Sequence, residues 1–154
     1  CDHRWPRPAG RCPVTLADPT THTTALVALL TAAGVVVGDA TAPTVKYGWQ
    51  GTPGRSTFIP YAVVYLLDQA FDGSLGCPDS DSDLSWQVTC IGETRATCDT
   101  VRHAVNTALV GASLTVAGRS VARIRAEGGA AIRRDDSLAP ALFISTPRFA
   151  AWST

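Results

Sequence analysis

The run Leu84-Ser85-Trp86-Gln87-Val88-Thr89-Cys90 alternates apolar and polar residues without a break. A period of two belongs to a half-buried β-strand. Directly after it the period changes. From about Thr94 to Val110, residues Val101, Val105, Ala108 and Leu109 fall on one stripe with Ala104 beside them, Arg95, Arg102 and Asn106 lie elsewhere, and Gly111 stops the run. That is an amphipathic helix closed by a glycine. A strand feeding straight into a helix makes the fold mixed, and the flanking elements decide its kind.

Upstream, Asp18-Pro19 reads as an N-cap with proline at the first helical position, and Leu26, Leu29, Leu30 and Ala33 recur at helical spacing up to Gly34. This predicts a first helix from Pro19 to Ala33. After the short apolar run Val35 to Val37, Val45-Lys46-Tyr47 is expected to form a brief strand, followed by an exposed loop from Gly48 to Thr57. Ile59 to Leu67 is β-branched and aromatic, with Pro60 near its start, and reads as a central strand buried on both faces. A loop carrying Asp72-Gly73 and a Ser/Asp tract should join it to Leu84.

Downstream, the pattern predicts strands at Ser113 to Val116, Ser120 to Ala126 and Leu142 to Phe149. Turns are expected at Ala117-Gly118 and Gly128-Gly129, and a charged loop at Arg133-Arg134-Asp135-Asp136. The order α-β-β-β-α-β-β-β with short connections favours an α+β fold, a mostly antiparallel sheet with both helices packed on one face. At 154 residues one domain suffices to bury a core. We assign it to 16–154, with 1–15 an irregular Pro/Arg-rich tail. That tail is expected to be either an over-extended reading frame ahead of a start at Val14 or a processed N-terminus at Cys1.

Composition narrows the function classes. Thirteen basic residues balance thirteen acidic ones, so net charge supplies no long-range attraction to phosphate. No apolar run approaches the ~20 residues that span a bilayer. The five cysteines include no C-x-x-C pair; Cys90, on the apolar face of its strand, should act as a small buried hydrophobe.

Candidate chemistry fails motif by motif. Gly48 to Ser56, GWQGTPGRS, would need Gly at 49 and Lys at 55 to be a phosphate-binding loop and has Trp49 and Arg55. Asp79, Asp81 and Asp83 open like a calcium loop, but Leu84 stands where the turn glycine belongs and Cys90 where the closing Glu belongs. His3, His22 and His103 lack a second metal ligand at helical spacing and read as surface residues. Cys98 and His103 lie about 140° apart around one helix, too far round for a dyad. The sequence therefore predicts no catalytic, cofactor or metal site. Its candidate contact residues are the loop residues Trp49, Arg55, Asp79, Asp81, Asp83, Arg133, Arg134, Asp135 and Asp136.

Six segments, in order and at this spacing, carry a family resemblance: ALVALLTAAGV (25–35), IPYAVVYLLDQ (59–69), GSLGCPDSDSDLSWQVTCIGET (73–94), CDTVRHAVNTALVG (98–111), LTVAGRSVARIRAEGGAAIRRDD (114–136) and LAPALFISTPRFAAW (138–152). Together, over about Leu16 to Trp152, they resemble the tail terminator proteins of long-tailed, siphovirus-like actinobacterial phages. Residues 37–57 are longer and more irregular than that pattern, and residues 1–13 have no counterpart in it.

The resemblance implies a virion protein of the neck, assembled in the host cytoplasm. It implies a homo-oligomeric ring, usually a hexamer, that caps the tail tube protein, stops its polymerisation and docks a head-completion protein. DNA would pass through the lumen without specific binding. The candidate loops would then meet neighbours or line the lumen. The alternatives are a head–tail adaptor, a tail tube subunit or, in a different class, a secreted host binding domain or an enzyme.

Overall fold

The computed structural model describes residues 16–74 and 77–154. The tail expected over 1–15 lies outside them. The elements are α1 (Pro19–Ala32), β1 (Val37–Asp39), β2 (Gly48–Gln50), β3 (Thr57–Ile59), β4 (Tyr61–Ser74), β5 (Cys77–Gly92), α2 (Arg95–Leu109), β6 (Arg125–Asp135) and β7 (Leu142–Ser153). The fold is α+β. Five strands form one sheet in the order β1-β4-β5-β7-β6, while β2 and β3 form a separate hairpin. All neighbours in the main sheet are antiparallel except β1, which runs parallel to β4.

The alternating run sits where its period requires. Leu84, Trp86, Val88 and Cys90 are all fully buried on the helical face of β5, and Ser85, Gln87 and Thr89 point away. Both helices pack on that one face, where Leu26 and Leu30 of α1 and Cys98, Val105 and Leu109 of α2 share a core with Trp86, Val88, Phe149 and Ala151. The indole N–H of Trp86 donates to Thr23 Oγ1 at 3.0 Å. The largest core side chain therefore satisfies its one polar group on α1.

The helix ends follow from sequence chemistry. Asp18 accepts from Thr20 N at 2.9 Å, with Pro19 next in line. Thr94 and Thr97 exchange side-chain-to-backbone bonds of 3.0 and 3.1 Å in a capping box. Between β5 and α2 the chain needs Gly92, because a Cβ there would meet Cys98 N at 2.4 Å.

Several expectations are corrected. The loop expected at 72–83 is strand: β4 runs to Ser74 and β5 begins at Cys77, with Ala70 opposite Asp83 and Asp72 opposite Asp81. Its polar residues belong to a strand pair, which composition alone does not separate from a loop. Within 48–57, β2 and β3 pair as a hairpin, and Val45 to Tyr47 is not strand. The expected central strand is buried only from Ala62 to Val64, where β1 flanks it; beyond that its outer edge pairs with no strand among the described residues, and Tyr65, Leu66 and Leu67 are exposed. Ser113 to Ile124 is irregular, held by Ile124 N to Ala112 O (2.8 Å) and a bridge from Val121 to Ser153. Gly128 and Gly129, at positive φ, form part of a bulged β6 in place of a turn, and β6 absorbs Arg133 to Asp135.

Truncating Trp86 to Ala should cost about 3–5 kcal/mol by cavity formation. Thr23→Val should cost about 1–3 kcal/mol by stranding the buried indole N–H. Urea unfolding followed by circular dichroism measures both, and a Thr23→Val midpoint equal to wild type would refute the tether.

Candidate assembly surfaces

The face of the sheet opposite the helices carries a second, smaller core of Phe58, Val63, Ile91 and Leu142, with Tyr61 and Ile144 packed against it. The β2–β3 hairpin closes over this patch through an aromatic chain. Trp49 meets Phe58 edge-on at 5.2 Å between ring centroids, and Tyr47 meets Tyr61 at 4.9 Å. These are favourable T-shaped geometries. Trp49 lies in β2, not in a loop, and keeps 41% of its surface exposed. Arg55, in the turn between β2 and β3, is exposed.

Asp81 and Asp83 lie in β5, facing away from the helices. Asp79 lies in the same strand, with its side chain outside what the structure describes. Asp83 is committed: Arg125 Nη2 on β6 bonds its two oxygens at 2.7 and 3.0 Å, and also reaches Glu127 at 3.4 Å. The 133–136 cluster is likewise paired locally. Arg134 bonds Asp136 at 2.7 Å. The hydroxyl and then the backbone N–H of Ser137 hold the Asp135 carboxyl below its usual range. Arg133 has no ion-pair partner among the described residues.

These candidates form two groups. Along β5 the Asp81 end and the Ile91 end are about 33 Å apart at ~3.3 Å per residue. Asp81, Asp83 and Arg125 sit at the first end; the hairpin with Trp49 and Arg55, and the strand end at 133–136, sit at the second, beside Ile91 and Leu142.

The expectation that His22 lies on the surface is overturned. It is fully buried, its Nδ1 2.7 Å from Asp18 O and its Nε2 2.9 Å from Ser153 Oγ. Because Asp18 O only accepts, Nδ1 carries the proton, and in the neutral ring Nε2 accepts from the Ser153 hydroxyl. Arg119 Nε donates to that same oxygen at 3.1 Å. A serine hydrogen-bonded to a histidine has the outline of a nucleophile and base, but Ser153 is fully buried and a substrate carbon has no approach to it. The trio clips α1 to the end of β7. Sequence spacing gives no hint of it, since 131 residues separate His22 from Ser153.

Cys90 behaves as expected. Cys90 and Cys98 are buried free thiols; burial pushes Cys90 up to about 12, and the Cys98 thiol donates to Cys90 O at 3.4 Å. His103, exposed on α2, is far round the helix from Cys98. No group of three His, Cys, Asp or Glu side chains suited to a metal occurs among the described residues, and no described helix is long and apolar enough to cross a membrane.

No family model and no curated protein matches the sequence. Among solved structures, the chain is similar to one in the virion of a native gene transfer agent particle. The TM-score is 0.60 at 21% identity, over 90% of this chain and 96% of that one. The fold is one that a virion uses. At this identity the likeness concerns the fold, and it runs almost the full length of both chains.

His22→Ala should cost about 2–4 kcal/mol, combining lost packing with a buried Ser153 hydroxyl whose proton has lost its acceptor; a thermal melt unchanged from wild type would exclude the clip. Burial disfavours the Cys90 thiolate, the form that reacts. Iodoacetamide with peptide mapping should leave Cys90 unmodified until denaturant unfolds the chain, and native-state labelling would contradict its burial.

Proposed function

We propose that this chain is a phage-type virion structural protein, and more specifically a tail terminator. In this reading it caps the tail tube, stops tube polymerisation and offers the docking surface for head joining. The observation that carries the reading is the full-length fold likeness to a virion chain, and the family resemblance of the six sequence segments gives it its specific form. Subunits assemble in the host cytoplasm into a ring, a hexamer in the family pattern, and act through shape with no bond made or broken. A heterologous contact repeated by rotation closes such a ring.

The separation of the contact candidates fits a ring with two working rims. One rim presents the hairpin with Trp49 and Arg55 together with Arg133, Arg134, Asp135 and Asp136. The other presents Asp79, Asp81 and Asp83. The tail tube protein and the head-completion protein are the two partners such rims would meet. The acidic tract would also keep transiting DNA from adhering to the lumen, because like charges repel at close range.

Deleting the gene from its phage tests the reading. A terminator's loss gives tails of uncontrolled length; normal tails left unjoined to heads would mean a head–tail adaptor instead, and absence of tails a tube subunit. Changing Asp79, Asp81 and Asp83 together to Lys should slow DNA ejection while sparing tail length. Ejection at the wild-type rate would remove the lumen role.

A further inference from the structure

The two edges of the sheet are built differently. At one edge β4 is flanked by β1 only at Ala62–Val64, and past that point Tyr65, Leu66, Leu67 and Phe71 are between 38% and 47% exposed. No strand among the described residues covers these four bulky apolar side chains, although Ala17 O accepts from Gln69 Nε2 between them at 2.7 Å, and exposed apolar groups along a strand edge are an association hazard. The ionisable groups alongside are acidic, Asp68 on β4 and Asp39 at the end of β1, and β4 contains no Lys or Arg.

The opposite edge, β6, is the converse. It reads RAEGGAAIRRD and is exposed along nearly its whole length. Its middle has almost no side chain. Ala126, Gly128, Gly129 and Ala130 border a cleft of about 280 Å³ between α2 and the β6–β7 pair, whose charged lining residues are Arg102 and Arg148. Arg133 and Arg148 make no ion pair within 4 Å among the described residues, although Arg133 acts at longer range on Asp135, so this flank presents positive charge.

We infer that the β4 edge of one copy docks onto the β6 flank of the next. The bulky residues Leu66, Leu67 and Phe71 seat against the Gly/Ala stretch and its cleft, and Asp68 and Asp39 face Arg133 and Arg148. The contact is made by side chains and does not extend the backbone ladder. β6 is bulged at Ala126/Gly128 and again at Ala130/Arg133, and β4 between Leu66 and Asp68; bulges re-aim and interrupt the donor and acceptor rows that strand addition would need. The two surfaces differ and lie on opposite flanks, so the contact is heterologous, the type a ring requires. This inference rests on the ring-forming reading above and names the surfaces that close the ring.

Leu67→Arg and Ala130→Trp test it, because both positions are exposed and neither substitution reaches the core. Each purified variant, confirmed folded by circular dichroism, should self-associate about tenfold or more weakly than wild type in sedimentation velocity. Mixed together, they should form a dimer and nothing larger, since each variant retains the surface the other lacks.

Assembly of both variants at wild-type strength would overturn the contact, as would a wild-type chain that stays monomeric at its highest soluble concentration. Loss with Leu67→Arg but not with Ala130→Trp would overturn the assignment of β6 as the partner. Sedimentation needs no tail, so a deletion phenotype that refutes the terminator role leaves this result standing, and the reverse also holds.

Discussion

Trp86 holds this molecule together. It occupies the middle of the central strand β5, fully buried, with α1 and α2 on its side of the sheet and its indole N–H taken by Thr23. A side chain of that size makes more dispersion contacts than any other in the core, and it carries one polar group that must be satisfied. That requirement decides where α1 lies. Once α1 is fixed, His22 falls onto Ser153 and the end of β7 is fixed too. One strand's alternation thus organises both ends of the chain.

What sequence reading recovered and what it missed have separate physical causes. The period of Leu84 to Cys90 and the stripe from Val101 to Leu109 were legible because burial on one face imposes the repeat directly. The cap at Asp18 was legible because it is local chemistry. The tract from Asp72 to Asp83 was misread because its Ser and Asp residues show no apolar alternation, which leaves a loop-like composition on a backbone that pairs as strand. Gly128-Gly129 was misread because a positive-φ glycine serves a bulge as readily as a turn. Ser113 to Ile124 contains strand-like residues, but Leu114 and Ile124 are spent on filling the core beneath the helices.

The candidate surfaces were half legible. Trp49, Arg55, Arg133, Arg134 and Asp136 are exposed while Asp81, Asp83 and Asp135 are half-buried, and how they group depends on register, which no spacing rule supplies. Asp83 and Arg125 are neighbours only because β5, β7 and β6 lie side by side. The apolar edge of β4 escaped notice for the opposite reason: Tyr65, Leu66 and Leu67 read as core, and their exposure follows from β1 being three residues long.

Gly92 has a mechanical consequence. With Cys98 N already where a Cβ would go, β5 passes into α2 with no slack, and the capping box at Thr94 locks the first turn at once. A push on the Ile91 end of the sheet would therefore travel straight into α2 and across the shared core to α1. The last residue of β5 and the first turns of α2 are thus held at a fixed spacing, and any side chain larger than hydrogen at position 92 would have to pry them apart.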